Sequence, residues 1–315
     1  MIKIVGIGAN VYDTLITLPE FPAEDTKMRA NHNCTSPRTK LPSVVSNVSK
    51  ILTASKLGGS SAFIGVLSDD NAGKFLLEDM KKYGMTDEYV DVKKGYSSFS
   101  SYILLNTKKA SRTCVFNKGN LPALELSEKQ KQVICDAEIL MVDGNEMESA
   151  IEGAKLANQS DTKVLYDAGG LYDGVERLLP YADILIPSEE FALGHTDKKT
   201  ADEAAIVLYK KYLPEVVVIT QGKNGGIIYD GKEIAKYPAF LVDAVDSNGS
   251  GDVFHGAFAF AVSIGYNYKK ACVFSSAVSA LKCTKVGSRA SVPTLDEVKK
   301  FLKERGCNEF EENME

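Results

Sequence analysis

One short segment joins small residues to two carboxylates. It runs Asp246-Ser-Asn-Gly-Ser-Gly-Asp252 and is followed at once by the apolar run 253–262, which predicts a buried helix. Its small residues let the backbone approach a ligand closely, and amide groups at a helix N-terminus bind anions. Asp252 opens this helix, where a carboxylate repels a phosphate unless it has a task such as accepting a proton from a hydroxyl. The pattern is typical of phosphoryl transfer, although helix capping by Ser250 or Asp252 explains the same residues.

The same segment resembles the signature of the ribokinase-like (PfkB) carbohydrate and nucleoside kinases, D-[TS]-x-G-[AS]-G-D-x-F-x-[GA], with every fixed position met. The resemblance implies that Gly249, Ser250 and Gly251 form an anion hole for the transferred phosphate and that Asp252 is the catalytic base. It assigns Asn248 to the ATP site. It further implies an α/β protein with a three-layer α/β/α ribokinase-like fold, a central mainly parallel sheet and a small β lid.

Length and composition limit the possible partners. The 315 residues fit one large α/β domain or two small ones, and 44% hydrophobic residues suffice for a full core. A net charge of -5 argues against nucleic acid or an anionic membrane as the main partner. The six cysteines show no metal-ligand spacing, and no apolar run approaches the ~20 residues of a membrane span. We therefore expect a cytoplasmic protein that acts on small molecules.

The first strand leads to a candidate sugar ligand. Residues 2–8 predict a buried parallel strand ending in Gly6-Ile-Gly8, but the third glycine and the helix of a dinucleotide-binding fingerprint are missing. Asp13 lies in the strand-like segment that follows. It suits a turn-capping carboxylate, and the family resemblance implies instead that it holds sugar hydroxyls.

The next predicted helix, residues 44–57, carries both a match to the family and a departure from it. Asn47 matches an asparagine that orients the sugar in the family. The glycine pair that usually opens this helix is replaced by Pro42-Ser43. Ser43 therefore becomes a candidate substrate contact, and the floor of the sugar pocket must differ from that of a typical member.

Strands and helices then alternate, which predicts a parallel sheet covered on both faces. Open sheets of this kind bind ligands in loops at the carboxyl ends of their strands, and this rule places Asp143, Asn145 and Asp167 at the rim. Turn residues are also common at strand ends. Asn145 is the best candidate of the three for a substrate contact.

Two alternating runs, 99–106 and 112–117, predict a β-hairpin. The resemblance implies that this hairpin completes a discontinuous lid, built from about residues 14–40 and 96–118 within a single domain of residues 1–315. The sequence from Ser111 to Phe116 is similar to ketohexokinase-like members, which makes Arg112 a candidate substrate contact. The lid is also a candidate surface for a homodimer.

Two further segments are assigned by the resemblance to the nucleotide and its magnesium ion. The segment 220–226 matches the T-x-G-x-x-G motif near ATP at Thr220, Gly222 and Gly225. The segment 187–191 lacks the asparagine and the final glutamate of the family's N-x-x-E motif. Glu189 or Glu190 could replace them and hold Mg²⁺ through water. Both glutamates also suit an exposed first helical turn.

A third assignment concerns a monovalent cation. Gly287 and Ser291 lie in a segment similar to the family's monovalent-cation loop, whose other side is Asp246. The resemblance therefore adds K⁺ to ATP and Mg²⁺ as a candidate cofactor.

These residues together indicate ATP-dependent phosphorylation of a sugar hydroxyl, with a ketose or related monosaccharide favoured. A nucleoside kinase is an alternative, since Tyr102 or Phe116 could stack on a base. A kinase of anionic sugars is another, because the lid region carries Lys27, Arg29, Arg38 and Lys40. A sugar- or nucleotide-binding regulator without activity is an alternative of a different class, suggested by the changed glycine pair and N-x-x-E motif.

Overall fold

The computed structural model of the chain describes residues 2–29, 47–106, 108, 111–171, 173–287 and 289–310. For residues 47–49, 111 and 112 it describes the backbone alone.

The strands belong to two sheets. Their bounds within the described residues are β1 (Ile4–Ile7), β2 (Tyr12–Leu18), β3 (Ser61–Ser68), β4 (Val90–Lys93), β5 (Ser100–Asn106), β6 (Ser111–Asn117), β7 (Ile139–Val142), β8 (Lys163–Ala168), β9 (Ile184–Pro187), β10 (Val216–Thr220), β11 (Gly226–Tyr229) and β12 (Ile234–Tyr237).

The helices mostly alternate with the strands of the larger sheet. They are α1 (Asn47–Lys56), α2 (Asn71–Lys82), α3 (Glu128–Cys135), α4 (Met147–Asn158), α5 (Glu189–Thr196), α6 (Ala201–Tyr212), α7 (Ser250–Ser263), α8 (Tyr268–Cys283) and α9 (Leu295–Lys303).

The larger sheet has the strand order β12-β11-β10-β9-β8-β7-β1-β3-β4. The strands from β10 to β4 pair in parallel, and β11 pairs antiparallel with both β10 and the edge strand β12. Parallel neighbours need crossover connections, which the intervening helices supply. The expectation of a mainly parallel central sheet is confirmed.

Helices cover both faces of this sheet. Ile4 and Met141 point to one face and pack with residues of α1, α7, α8 and α9. Val5 and Leu140, their neighbours in the chain, point to the other face and pack with residues of α3, α4, α5 and α6. Alternation of side chains along each strand thus produces two apolar cores and the expected three layers.

The smaller sheet has the order β2-β5-β6. Strands β5 and β6 form the predicted antiparallel hairpin, with Tyr102 opposite Val115. Strand β2 pairs with β5 in parallel, a long-range pairing that brings Asp13 beside Ser101. This sheet lies where the sequence predicted the lid.

One predicted helix is shorter than expected. The sequence of residues 123–135 predicts a helix over that whole range, but α3 begins at Glu128 because Ser127 and Gln130 form a reciprocal capping box. The chain before it contributes the buried side chains Leu124 and Leu126 to the core without being helical.

In the described ranges, every helix is too short or too polar to cross a bilayer.

Candidate active site

The signature segment forms a turn and the start of α7. Gly249 precedes the helix with φ 74°, a left-handed conformation that favours glycine. The amide of Ser250 donates to the carbonyl oxygen of Ser247 at 3.2 Å. Within the described residues, no acceptor faces the amides of Gly249, Gly251 and Asp252. The turn therefore presents the amides of Gly249, Gly251 and Asp252 as donors for an anion. The amide of Ser250, which the family resemblance assigns to the anion hole, already donates within the turn.

A buried lysine lies among three carboxylates beside this turn. The Nζ atom of Lys50 lies 2.5 Å from Oδ2 of Asp167, 3.6 Å from Oδ1 of Asp252 and 3.9 Å from Oδ2 of Asp143. Its side chain is only 3% exposed. Four elements supply these groups: α1, α7 and the carboxyl ends of β7 and β8.

Burial and this lysine oppose each other in setting the protonation of the carboxylates. Burial raises the pKa of Asp252 to about 6, although the charge of Lys50 acts to lower it. Burial also raises the pKa of Asp143. For Asp167 burial is outweighed by His255 and Lys50, which lower its pKa. Burial disfavours the ammonium of Lys50, yet Asp167, Asp143 and Asp252 together raise its pKa. Lys50 is thus a permanent cation, and Asp252 titrates close to neutrality.

His255 ties α7 to this cluster. Its Nδ1 lies 2.6 Å from the carbonyl oxygen of Gly251, and its Nε2 lies 3.1 Å from that of Ile186. Nε2 is also 3.3 Å from Oδ1 of Asp167. Each ring nitrogen thus faces a backbone carbonyl oxygen, which can only accept a hydrogen bond. The first turn of α7 is thereby fixed against the ends of β8 and β9.

A cavity of about 850 Å³ lies between this cluster and the lid. Asp13, Asn145, Asn248 and Asp252, all named from sequence, line it together. Asp13 is buried and accepts a hydrogen bond from the hydroxyl of Ser101 on β5. The lid also contributes Phe99, Ile103, Cys114 and Phe116 to the lining. The cavity therefore has a polar floor and a partly apolar roof.

The candidate nucleotide residues gather at the end of β10. Gly225 has φ 80°, and a Cβ there would lie 2.2 Å from the carbonyl oxygen of Tyr237, so this turn requires glycine. Thr220 and Gly222 adjoin it, and Gln221 donates to Oε1 of Glu189 at 2.6 Å. Glu190 is exposed on α5 and does not line the cavity. No group of three or more metal-binding side chains occurs among the described residues.

The candidate cation residues also lie together. Asp246 Oδ2 accepts from the amide of Gly287 at 2.9 Å, and the hydroxyl of Ser291 donates to the carbonyl oxygen of Gly287. The ammonium of Lys282, which the sequence analysis did not single out, lies 2.7 Å from the carbonyl oxygen of Asp246.

The remaining predicted contacts lie outside the described residues or away from the cavity. Ser43, Arg38 and Lys40 lie outside the described residues, as do the side chains of Asn47 and Arg112. Lys27 and Arg29 are described and exposed, and they do not line the cavity.

Lys50 and His255 are site residues that were not predicted from the sequence. Lys50 precedes Ile51 and Leu52 on the buried side of α1, and His255 lies within the apolar run of α7. A charged or polar side chain on a buried helix face needs a partner. That rule could have flagged both residues, but it could not name the carboxylates.

Known proteins share this architecture. The chain is 28% identical over 267 residues to an ATP-dependent 6-phosphofructokinase of Thermoanaerobacterium thermosaccharolyticum, covering 79% of this chain and 81% of the relative. It is 26% identical over 311 residues to a ribokinase of Bacillus subtilis, covering 96% and 100%. The structure of Arabidopsis thaliana ribokinase complexed with ribose and ATP has a TM-score of 0.83 at 22% identity, over 96% of this chain and 99% of that one. The family model described as pfkB family carbohydrate kinase matches residues 46–295. Because that match covers more than half of the chain, this protein belongs to the pfkB family of carbohydrate kinases.

Proposed function

We propose that this sugar kinase transfers the γ-phosphate of ATP to a hydroxyl of a neutral monosaccharide, with Asp252 as the base. One observation carries the proposal. A carboxylate with a pKa of about 6 lies at the floor of the cavity, at the start of a helix whose first amides face no acceptor in the described chain. A base with a pKa near the working pH is both deprotonated and able to accept a proton.

The chemical step needs a proton acceptor and a site for negative charge. The sugar oxygen attacks the γ-phosphorus, the bond to the ADP oxygen breaks, and Asp252 takes the proton of the hydroxyl. The amides of Gly249, Gly251 and Asp252 stabilise the charge on the transferred group. Lys50 offsets the charge of Asp143 and Asp167, so that Asp252 can ionise beside them.

We propose that ATP binds along the carboxyl ends of β9 and β10. Thr220 ends β10, which lies two strands from β8 and its Asp167, so both residues lie at the carboxyl edge of the parallel sheet. Magnesium would neutralise the nucleotide phosphates. Glu189 suits a water-mediated role there, because its contact with Gln221 holds it against the end of β10. Use of ATP and the free cysteine thiols of the described chain support a cytoplasmic location.

The charge of the cavity favours a neutral sugar. The described lining carries Asp13, Asp143, Asp167, Asp173 and Asp252 against Lys50 and Lys118. Lys50 is already compensated by its carboxylates, so a phosphorylated sugar would meet an excess of negative charge. Hydroxyl groups, in contrast, can donate to these oxygens. The likeness of residues 111–116 to ketohexokinase-like members supports a ketose.

Phosphorylated sugars and nucleosides are the other candidates. The relative named 6-phosphofructokinase supports the former. Phe99 and Phe116, whose ring centroids are 5.8 Å apart at the cavity roof, offer a nucleoside base a stacking surface.

A screen of fructose, ribose, fructose 6-phosphate and adenosine by coupled ADP detection separates these classes. A steep fall of affinity with ionic strength would indicate an anionic substrate.

The test of the base is Asp252→Asn. We expect kcat to fall by roughly 10²–10⁴-fold while ATP binding, measured by calorimetry, is retained. Asp243→Asn, an exposed carboxylate just before the signature, is the control and should leave kcat unchanged. Near-normal kcat in Asp252→Asn would disprove the assignment. A wild-type protein that binds sugar and ATP without turnover would instead support a regulator.

We also propose that the protein forms a homodimer through the lid. Tyr102 and Val115 are opposite each other on β5 and β6, and both are more than half exposed. An apolar pair that no described part of the chain covers is suited to burial against a second copy.

A further inference from the structure

Lys282 is a lysine with no exposed surface. It lies on the last turn of α8 and is 0% exposed. Lysine is almost never fully buried unless it is paired. Its Nζ donates to the carbonyl oxygen of Asp246 at 2.7 Å and lies 3.9 Å from Oδ2 of the same residue. A fixed ammonium therefore occupies the place beside Asp246 where the sequence suggested a monovalent cation.

The surrounding groups do not fit an additional K⁺ ion. Oδ1 of Asp246 accepts from the amide of Asn248 at 2.8 Å, and Oδ2 accepts from that of Gly287 at 2.9 Å. The carbonyl oxygen of Gly287 accepts from the hydroxyl of Ser291. Protein donors thus point at the oxygens that a metal ion would need. A second cation would also be repelled by the ammonium at close range.

The same helix end holds the turn that carries the anion site. The carbonyl oxygen of Cys283 accepts from the amides of Val245 and Asp246, at 2.8 and 3.2 Å. Ser279 donates to the carbonyl oxygen of Ser250 at 2.9 Å. With Lys282, these contacts fix both ends of the segment from Asp246 to Ser250. The position of the open amides therefore depends on the end of α8.

We propose that the ammonium of Lys282 replaces a monovalent cation in this kinase, so that phosphoryl transfer does not require K⁺. Lys282 acts as a positioning residue: it neutralises Asp246 and holds the turn so that the amides of Gly249, Gly251 and Asp252 face the phosphate. The predicted effects on kcat rest on the proposed function. The predicted effects of K⁺ on thermal unfolding do not depend on the substrate.

The first experiment compares chloride salts of K⁺, Na⁺ and tetramethylammonium at constant ionic strength. We expect the wild-type kcat to be the same in all three within about two-fold, which is below the scale of one lost charge-assisted hydrogen bond. Several-fold activation by K⁺ would overturn the proposal. If the protein shows no kinase activity, thermal unfolding in the same salts replaces kcat, and K⁺-specific stabilisation of the wild type is then the contrary result.

The second experiment removes the ammonium. Lys282→Ala leaves space for an ion, and we expect kcat to fall by about 10- to 100-fold in tetramethylammonium and to recover with K⁺. K⁺ should also raise the melting temperature of this variant by about 2 °C or more over tetramethylammonium, since it binds the folded state alone.

Lys285→Ala is the matched control, because this exposed lysine lies three residues away and pairs with Glu297. It should respond to none of the salts. A Lys282→Ala protein that folds, turns over normally and ignores K⁺ would contradict the positioning role. If this variant does not fold, the ion series on the wild type still decides whether K⁺ is needed.

Discussion

Lys50 sets the charge balance around the proposed base. Burial raises the pKa of Asp252, and the repulsion of Asp167 and Asp143 adds to this, while Lys50 and His255 act in the opposite direction. Because the pKa of Asp252 is about 6 rather than its ordinary 3.8, burial and repulsion outweigh the effects of Lys50 and His255. Loss of Lys50 would leave the raising causes in place, so the pKa of Asp252 must then rise further.

The pH dependence of kcat/KM tests this balance. The base must be deprotonated, so we expect kcat/KM of the wild type to rise with pH and to reach half its plateau at about pH 6. In Lys50→Met the half-maximum should move to higher pH, and Lys50→Arg should return it towards the wild-type value.

Lys56→Met is the control for this pair of variants. Lys56 lies on the same helix but donates to the carbonyl oxygen of Val292, away from Asp252. The kcat/KM of Lys56→Met should still reach half its plateau at about pH 6. An unchanged or more acidic half-maximum in Lys50→Met would show that Lys50 does not govern the protonation of Asp252.

Gly251 offers a steric test of the anion site. A Cβ placed on Gly251 meets nothing within 4 Å, so the protein can fold with a larger side chain at this position. That side chain would project into open space beside the free amides. We expect Gly251→Val to lower kcat by about 10²-fold or more, on the scale of losing an oxyanion donor, while KM for the sugar changes little.

A graded series strengthens this test. Gly251→Ala should have a smaller effect than Gly251→Val, since its methyl group blocks less of the approach. If Gly251→Val turns over normally, the phosphate is bound elsewhere.

At the scale of elements, sequence reasoning succeeded where the information is local. The signature spans eleven consecutive residues, 246–256, and strands followed by apolar helices alternate plainly, so the layers and the start of α7 could be predicted. The parallel pairing of β2 with β5 joins segments that lie 88 residues apart, and no local pattern encodes it. The same holds for Lys50, whose three carboxylates arrive from β7, β8 and α7 only through the fold.

One side chain links helix α2 to the strand that enters the lid. Asp70 caps α2 by accepting from the amide of Gly73 at 2.7 Å, and it also accepts from the amide of Ser98 at 2.8 Å. Burial would raise its pKa, but the hydrogen bonds from Ser98 and Gly73 outweigh burial and lower it. The ionised carboxylate therefore stabilises the folded state.

Asp70→Ala should lower the free energy of unfolding by about 1–2 kcal/mol at pH 7, through loss of the cap and of the anchor for Ser98. Because the folded pKa lies below the unfolded value, this contribution is complete above the ordinary value of 3.8 and is lost as pH falls through the folded pKa. The difference from wild type in urea unfolding should thus be smaller at pH 3 than at pH 7.

The control is Asp87→Ala, which removes a partly exposed carboxylate paired with Lys81. We expect it to change the free energy of unfolding by about 0.5 kcal/mol or less. If both variants lowered the free energy of unfolding equally, the Asp70 cap of α2 would contribute no more to stability than the ion pair of Asp87.

At the scale of the whole molecule, the lid has two different faces. Ser101, Ile103 and Phe116 face the cavity. Tyr102 and Val115 face away from it and are 56% and 60% exposed. Side chains alternate along a strand, so a single hairpin can form the roof of the site and present an apolar surface outside. A partner copy on that surface would hold the roof in place over the sugar.

The test of this dimer is Val115→Lys, measured by size-exclusion chromatography with light scattering. A two-fold interface brings equivalent residues of both copies together, so we expect the wild type to be a dimer at micromolar concentration and the added charges to separate it into monomers. Since we propose that the sugar binds in the cavity lined by Asp13 and Ser101 of the lid, the monomer should show a higher KM for the sugar with little change in kcat. Val92→Lys, at a valine of β4 that is 47% exposed and outside the lid, should remain a dimer with normal KM. If the wild type is a monomer, the proposed dimer is excluded. If Val92→Lys alone separates the subunits, the contact between them lies away from the lid.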